Sequence, residues 1–325
     1  MLHTIKYIKH FNLVKTSNFI KVIISYFISL ITKKPYVKGM PVFMTIEPVN
    51  TCNLKCQHCV VGTGKMIRPV KSMDYNLFKR TIDETEKHII YLMLYFQGEP
   101  FLHKQIIDMI KYASEKKIYT ITSTNAQNID LTLATEIVMS GLNEIIISLD
   151  GFTQATYSIY RKGGNIDNVF NAINFINMAK SILKSSFPLI HIQFIAFKHN
   201  ENEVKEIRKF KKKFKIQKLT IKTAQILNFD DAEKWIPENL KYSRYKKVNE
   251  KWKLKRNKKN CFRLWTHIVV CSNGTIIPCC YDKNASIILG KVDDGINEVW
   301  KNQNYNELRK AILINKLPEL CNICY

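Results

Sequence analysis

The chain has 325 residues, of which 46% are hydrophobic, so it is long enough for one large domain with a small appendix or for two ordinary domains. It carries 50 Lys and Arg against 27 Asp and Glu, which gives a formal net charge of +23. The composition excludes a collagen-like or coiled-coil chain, and the odd number of nine cysteines argues against a closed set of disulfides.

The positive charge is confined to three segments. Residues 1–41 contain seven Lys and no acid, residues 205–218 contain eight basic residues and one acid, and residues 241–259 contain ten basic residues and one acid. These segments account for the whole net charge, so the basicity need not describe a catalytic centre. A solvated basic face and a surface for an anionic partner, nucleic acid included, both stay open as interpretations.

The first basic segment predicts an amphipathic helix, because apolar residues recur there at helical spacing at Phe19, Val22, Ile23, Tyr26, Phe27 and Leu30. The apolar stretch Val22–Ile31 is shorter than a membrane span and has no small-residue cleavage site after it. We expect a cytoplasmic chain, with cysteines in a reducing compartment. The helix either packs on the main domain or lies on the anionic inner face of the membrane.

From residue 42 onwards, apolar strands alternate with helical patterns, which indicates parallel strands covered by helices. The predicted strands are Val42–Glu47, Ile89–Phe96, Ile118–Ser123, Glu144–Leu149, Leu189–Phe197 and Leu219–Ala224. The predicted helices are Asp74–His88, His103–Lys116, Asp130–Ser140, Ile166–Leu183 and Glu201–Lys213. Six such units predict an α/β fold, a partial (β/α)6 TIM-like barrel, with functional residues at the carboxyl ends of the strands.

These patterns divide the chain into four parts. We expect a basic N-terminal segment over 1–41, the partial barrel over 42–225, a basic connector over 226–260 and a small cysteine-rich domain over 261–325.

Three cysteines follow the first predicted strand. Cys52, Cys56 and Cys59 form the pattern C-x3-C-x2-C. Three thiolates so close together can bind three irons of a cubane, which leaves the fourth iron open to a cofactor or substrate. The alternatives are isolated buried thiols or a structural zinc site, which needs a fourth ligand.

This motif in this place resembles the radical S-adenosylmethionine superfamily. The resemblance implies a [4Fe–4S] cluster whose open iron binds the amino and carboxylate groups of S-adenosyl-L-methionine. It further implies reductive cleavage to a 5′-deoxyadenosyl radical that removes a hydrogen atom from the substrate. An electron donor such as flavodoxin or ferredoxin is implied as a partner.

Two cofactor positions follow from the resemblance after the second and third strands. Gly98 and Glu99 resemble the Gly-Gly-Glu motif that meets the methionine amino group, with Gln97 in place of its first Gly. Ser123 and Asn125 match the Ser-Thr-Asn segment near the cofactor.

Two more positions follow the fourth strand. Ser148 resembles the residue that contacts the ribose. Arg161 stands where the family often has an Arg that holds the methionine carboxylate, a task that suits a planar guanidinium.

The C-terminal cysteines resemble the SPASM and shorter twitch domains of this superfamily. The resemblance implies a second, auxiliary [4Fe–4S] cluster on Cys261, Cys279, Cys321 and Cys324, because six cysteines in a chain that stops just after them fit the shorter version. Four thiolates leave no open iron, so this cluster is expected to transfer electrons. The rival is a zinc knuckle, and two spare cysteines are interpreted as small buried hydrophobic residues, Cys271 and Cys280.

Together these features predict an oxidoreductase, dehydrogenase-like, that acts on a small or carbohydrate-like molecule. A peptide-modifying maturase is the first alternative. A nucleic-acid-modifying radical enzyme and a non-catalytic iron–sulfur electron carrier are the others.

Overall fold

The computed structural model describes residues 10–255 and 260–324. Residues 1–9, 256–259 and 325, which belong to the predicted N-terminal segment, connector and cysteine-rich domain, lie outside the described residues. The described chain forms two compact units. The first comprises residues 10–50, 67–121 and 260–324, and the second comprises residues 51–66 and 122–255.

The first unit combines the N-terminal third of the chain with its C-terminal segment. Its helices are α1 (Leu13–Thr32), α2 (Tyr75–Thr85), α3 (Ile106–Glu115), α9 (Arg263–Thr266), α10 (Ile296–Lys301) and α11 (Gln303–Leu313). Its strands are β1 (Phe43–Ile46), β2 (Tyr91–Met93), β9 (His267–Val270), β10 (Thr275–Ile277), β11 (Gly290–Lys291) and the start of β3 (Tyr119–Thr124).

In this unit the strand order is β11-β10-β9-β1-β2-β3. β1 pairs in parallel with β2 and, on its other side, with β9, in the register Phe43↔His267. β9, β10 and β11 pair antiparallel. The first strand of the cysteine-rich segment therefore continues the sheet that begins with β1, while the four-part domain division stays a prediction.

The second unit contains the cysteine loop 51–66 and the chain from the end of β3 through the described part of the predicted connector. Its helices are α4 (Leu131–Met139), α5 (Gln154–Tyr160), α6 (Ile166–Ile182), α7 (Ile207–Lys213) and α8 (Ala232–Trp235). Its strands are β4 (Glu144–Ser148), β5 (Leu189–Ala196), β6 (Lys218–Thr223), β7 (Tyr245–Val248) and β8 (Lys251–Leu254). β4, β5 and β6 are parallel, and β7 and β8 form an antiparallel hairpin.

The predicted α/β fold class is confirmed. All six predicted strands are present, and β4 is buried at every position, as expected for a parallel strand covered on both faces. Asp130 caps α4 as predicted, because its side chain accepts a hydrogen bond from Leu133 N. The predicted helix Glu201–Lys213 is instead a 3-10 turn, Glu201–Lys205, followed by α7. Asn200 uses its side chain to close the end of β5, which interrupts regular helix entry.

The predicted N-terminal helix is present and extends beyond the apolar stretch Val22–Ile31. α1 has 20 residues and is, by length and composition alone, long and apolar enough to cross a membrane. Of the apolar positions that predicted the helix, Val22 is buried, Phe27 is 57% exposed, and the others are half-buried: Phe19, Ile23, Tyr26 and Leu30. The other buried positions are polar, namely Lys15, Asn18, Ser25 and Ser29. Hydrophobic periodicity therefore identified the helix, but it gave no sign of the polar side chains that share its inward face.

A buried ion pair links two segments of the first unit. Both terminal guanidinium nitrogens of Arg68 donate to the carboxylate of Glu47, at 2.7 and 2.6 Å. Glu47 also accepts from the backbone and hydroxyl of Ser272, and Arg68 Nε donates to Lys283 O. Both charged side chains are buried, so the pair is satisfied only while both partners are present.

Replacing Arg68 by Met is expected to lower the free energy of unfolding by about 3–5 kcal/mol, because it leaves the Glu47 carboxylate buried without its cation. Arg80→Met is the matched control, since Arg80 pairs with Asp293 on the exposed surface. That change is expected to cost less than about 1 kcal/mol. Urea unfolding of both purified variants measures the difference, and equal losses contradict the stabilising role of the Glu47–Arg68 pair.

Candidate functional site

The first cysteine motif lies in a loop of the second unit, residues 51–66. Backbone hydrogen bonds attach this loop to the end of α5: Lys55 N donates to Lys162 O, and Gln57 N donates to Tyr160 O. His58 adopts a left-handed φ of 56°, which turns the chain between Cys56 and Cys59. The loop conformation is therefore tied to the residues that follow β4.

Nitrogen donors approach the sulfurs of this loop. Cys52 Sγ accepts from Leu54 N at 3.4 Å and from Asn125 Nδ2 at 3.6 Å. Cys56 Sγ lies 3.8 Å from Arg161 Nη1. Burial raises the pKa of Cys56 to about 11, and the neighbouring Arg161 charge opposes that rise. Donors at sulfur stabilise thiolates and tune iron–sulfur clusters, so the surroundings fit thiolate ligands.

Asp150 holds Arg161 beside the cysteines. Its carboxylate accepts from Arg161 Nε at 2.6 Å and from Ile195 N at 2.6 Å, and its carbonyl accepts from Asn200 Nδ2. Asp150 is fully buried. Although burial acts to lower it, the pKa of Arg161 is raised well above its ordinary value by the Asp150 charge. Arg161 is therefore a permanent cation next to Cys56.

Aromatic side chains cover the motif from within the same unit. Tyr160, Phe197 and Trp235 pack on one another, with ring centroids 4.5 and 5.4 Å apart. Cys52 and Cys59 pack against this cluster. These rings therefore give the cysteine loop a partly apolar surrounding, with Cys52 and Cys59 half-buried.

His58, between Cys56 and Cys59, has one buried ring nitrogen without a hydrogen bond to the described residues. Its ring lies edge-on to Trp235, and its Nδ1 accepts from Leu227 N at 3.3 Å. Its Nε2 is buried and has no hydrogen-bond partner among the described residues. Burial lowers the pKa of His58. A buried polar atom of this kind fits a site that awaits a bound group.

The remaining predicted cofactor residues occupy ends of strands. Ser148 is buried at the end of β4, and Ser123 lies near the end of β3, both in the second unit with the cysteine loop. Gly98 and Glu99 belong to the first unit, where Gly98 has a φ of 77° and Glu99 caps the 3-10 turn Pro100–Leu102. The contacts proposed for these residues with a cofactor stay predictions.

The four cysteines assigned to the auxiliary cluster lie close enough to influence one another. Burial raises the pKa of Cys321 to about 11, and the charges of Cys261 and Cys324 add to the rise. Cys279 is likewise raised by burial, its pKa reaching about 12, with Cys261 among the contributing charges. Backbone N–H groups point at the sulfurs of Cys261 and Cys279. This chemistry fits a thiolate-bound cluster.

The two spare cysteines differ from each other. Cys271 is buried with Val269 and Ile277, in agreement with its interpretation as a small hydrophobic residue. Cys280 is only half-buried, and its sulfur accepts from Arg263 Nη1 at 3.2 Å. Arg263 also acts electrostatically on Cys261 and Cys279, so it is a cation beside the proposed auxiliary ligands.

Within residues 10–255 and 260–324, no group of three or more His, Cys, Asp or Glu side chains is placed to hold a single metal ion. In a cubane, by contrast, each cysteine binds a different iron.

Sequence reasoning missed Asp150, Asn53, Trp235 and Arg263. Asp150 lies two residues after Ser148, so the sequence shows an acidic residue at the end of a predicted strand. Its ion pair with Arg161 could not be predicted, because it depends on where helix α5 ends in space. Asn53 accepts from Asn125 at 2.7 Å and joins that residue to the loop. Trp235 lies far along the chain, and no local pattern relates it to His58.

Comparison with known proteins identifies both parts of the chain. A model of the radical SAM superfamily matches residues 46–211, just over half of the 325 residues. A model described as an iron–sulfur cluster-binding domain, SPASM, matches residues 261–325.

Related proteins agree with these matches. The mycofactocin maturase MftC of Mycobacterium tuberculosis is 25% identical over 166 residues, which cover 51% of this chain and 40% of that protein. The chain thus matches less than half the length of this curated relative.

Two solved structures share the fold. SuiB of Streptococcus suis bound to S-adenosylmethionine has a TM-score of 0.65 at 15% identity, over 84% of this chain and 68% of SuiB. BtrN in complex with AdoMet and 2-DOIA has a TM-score of 0.54 at 15% identity, over 88% of this chain and 93% of BtrN. The chain belongs to the radical SAM superfamily and carries a C-terminal SPASM domain, which imply S-adenosyl-L-methionine, a [4Fe–4S] cluster and auxiliary iron–sulfur as its cofactors.

Proposed function

We propose that the chain is a peptide-modifying maturase, the alternative predicted from the sequence rather than its leading prediction. The observation that carries this proposal is the match of its radical SAM region to the maturase MftC. SuiB, which shares the fold, has also been solved with its precursor peptide SuiA bound.

In this proposal the residues of the second unit hold and tune the cofactor. Cys52, Cys56 and Cys59 bind three irons of the [4Fe–4S] cluster, and the bound S-adenosyl-L-methionine supplies the hydrogen-abstracting chemistry. Arg161, fixed by Asp150, places positive charge beside Cys56 and stabilises the anionic cluster. Asn125 donates to Cys52 and keeps its sulfur oriented.

The other cofactor contacts are proposed from the resemblance. Glu99, next to Gly98, receives the methionine amino group, and Ser148 receives the ribose. Ser123 lies near the cofactor. An external one-electron donor such as a flavodoxin or ferredoxin starts the reaction.

The auxiliary cysteines make the overall reaction an oxidation. Removal of a hydrogen atom oxidises the substrate by one electron and leaves a substrate radical. A net two-electron oxidation requires that this radical lose one more electron and one proton. The proton would pass to solvent, and a fully ligated cluster held by Cys261, Cys279, Cys321 and Cys324 would supply the one-electron acceptor. Arg263 beside these sulfurs favours that uptake, because positive charge stabilises the reduced cluster.

The basic surface of the second unit fits an acidic peptide better than a neutral metabolite. In the β7–β8 hairpin, Lys246 stands directly opposite Lys253, and both are exposed. Like charges in opposed strand positions repel, so an anionic partner stabilises this hairpin.

A second candidate is oxidation of a small or carbohydrate-like molecule. The matched region covers 93% of BtrN, the solved complex with AdoMet and 2-DOIA, so the two chains are similar in extent.

The substrate class can be tested by deuterium transfer. Host cells grown on deuterated medium supply an extract that is divided into a peptide fraction and a small-metabolite fraction. The reconstituted enzyme, S-adenosyl-L-methionine and dithionite are added anaerobically, and deuterium in 5′-deoxyadenosine is measured by mass spectrometry. We expect transfer from the peptide fraction, abolished when that fraction is first digested with protease.

Cys59→Ala is the negative control and is expected to form no 5′-deoxyadenosine. Transfer that comes from the metabolite fraction and survives protease contradicts the peptide proposal and supports the second candidate.

Iron content tests the cluster assignment separately. The reconstituted chain is expected to bind about eight irons, from two cubanes. The double variant Cys321→Ala/Cys324→Ala is expected to bind about four, because it leaves only two auxiliary thiolates, whereas Cys271→Ala is expected to keep about eight. A wild-type count near four removes the auxiliary [4Fe–4S] cluster from the proposal, and iron loss in Cys271→Ala makes that residue a ligand.

A further inference from the structure

Helix α1 exposes a continuous apolar stripe. Five large apolar residues of this helix lie seven, four, three and four positions apart in sequence, which places them on one side of the helix. We define this outer stripe as Leu13, Ile20, Ile24, Phe27 and Ile31, which are between 50% and 90% exposed. Exposed apolar residues are ordinary when scattered, but a contiguous stripe of large ones marks a surface that binds something.

The opposite face of α1 is already bound to the body of the first unit. Val22 is buried there, and the Tyr26 ring lies 5.3 Å from that of Trp265. Polar side chains add hydrogen bonds. Asn18 exchanges two hydrogen bonds with the backbone of Met40, at 3.0 and 2.8 Å. The hydroxyl of Ser25 accepts from Lys38 N, and that of Ser29 accepts from Tyr36 N. Lys15 Nζ donates to Lys117 O. The inward face of α1 is thus occupied by both apolar and polar contacts, whereas the apolar residues of the outer stripe are exposed.

The charge around the stripe indicates its partner. Residues 1–41 contain seven Lys and no acid. Among them Lys21, Lys33, Lys34 and Lys38 are exposed on or just after the helix. A large apolar face bordered by lysines is the composition of helices that lie in the interface of an anionic bilayer.

We propose that α1 docks this protein on an anionic lipid bilayer, with the outer stripe inserted among the acyl chains and the lysines at the headgroups. This inference is independent of the proposed function. Contact with an anionic membrane is one of the two placements that the sequence predicts for this helix. The proposal adds which side chains enter the bilayer.

The same contacts argue against the other occupants of this face. A membrane-spanning α1 must give up the hydrogen bonds of Asn18, Ser25 and Ser29 and bury Lys15 in hydrocarbon, which is costly. A second copy of the chain must bring two acid-free, lysine-rich helices together, because a twofold interface uses the same patch on both subunits.

Vesicle sedimentation of the full chain tests the proposal. We expect binding to vesicles of phosphatidylglycerol and phosphatidylcholine, and little binding to phosphatidylcholine alone. The double variant Ile24→Ser/Phe27→Ser is expected to weaken binding at least about tenfold, because two inserted apolar side chains are lost. Lys33→Gln/Lys34→Gln is expected to weaken it as well, by about fivefold for each Lys, with loss of salt sensitivity.

The matched control is Ile67→Ser/Val70→Ser, which removes two exposed apolar side chains elsewhere in the first unit. This variant is expected to bind like wild type, and circular dichroism checks that all variants are folded. Unchanged binding in Ile24→Ser/Phe27→Ser overturns the proposal.

Two further outcomes also overturn it. Protein that resists extraction from membranes by alkaline carbonate indicates a spanning helix. A dimer in light scattering that Ile24→Ser/Phe27→Ser converts to a monomer, without vesicle binding by wild type, indicates that a second copy covers the stripe.

Discussion

The candidate cofactor site depends on one buried carboxylate. Asp150 joins the ends of β4 and β5 through Ile195 N and fixes Arg161 at the end of α5. The adjacent backbone of Tyr160 and Lys162 holds the cysteine loop, and Arg161 itself approaches Cys56. Because Asp150 has no solvent to compensate it, its charge requires Arg161, and the position of Arg161 sets the surroundings of the sulfurs. Sheet, helix and cysteine loop are thereby coupled through a single ion pair.

The C-terminal cysteines, in the first unit, also lie beside N–H donors and a positive charge. Cys261 and Cys279 receive backbone N–H groups, and Arg263 places a cation beside them. Their segment is not an isolated knuckle, since β9 follows α9 directly and pairs with β1. Glu47 at the end of β1 also binds Ser272, so the segment is anchored by charge as well as by strand pairing. Rigid anchoring of this kind suits an electron-transfer cluster, which works best with little rearrangement.

Much of this was predictable from sequence because it rests on local patterns. Strand and helix periods located β1 to β6, and close cysteine spacing located both cysteine groups. The Asp150–Arg161 pair was not predictable, since it depends on where α5 ends relative to β4. The contact of Arg263 with the Cys280 sulfur was not predictable either, because the two residues are distant in sequence. For α1, apolar spacing predicted the helix, but not the hydrogen bonds of Asn18, Ser25 and Ser29 on its inward face, because these residues follow no apolar period.

The most direct test of this account is electron paramagnetic resonance of the reduced protein, recorded before and after addition of S-adenosyl-L-methionine. Asp150→Asn removes the charge that fixes Arg161, and Asp130→Asn, which alters only the exposed cap of α4, is the matched control. We predict that Asp150→Asn keeps its iron but loses the cofactor-induced spectral change and binds the cofactor at least about tenfold more weakly, whereas Asp130→Asn behaves as wild type. An Asp150→Asn protein with wild-type spectra and affinity contradicts the central role of the Asp150–Arg161 pair.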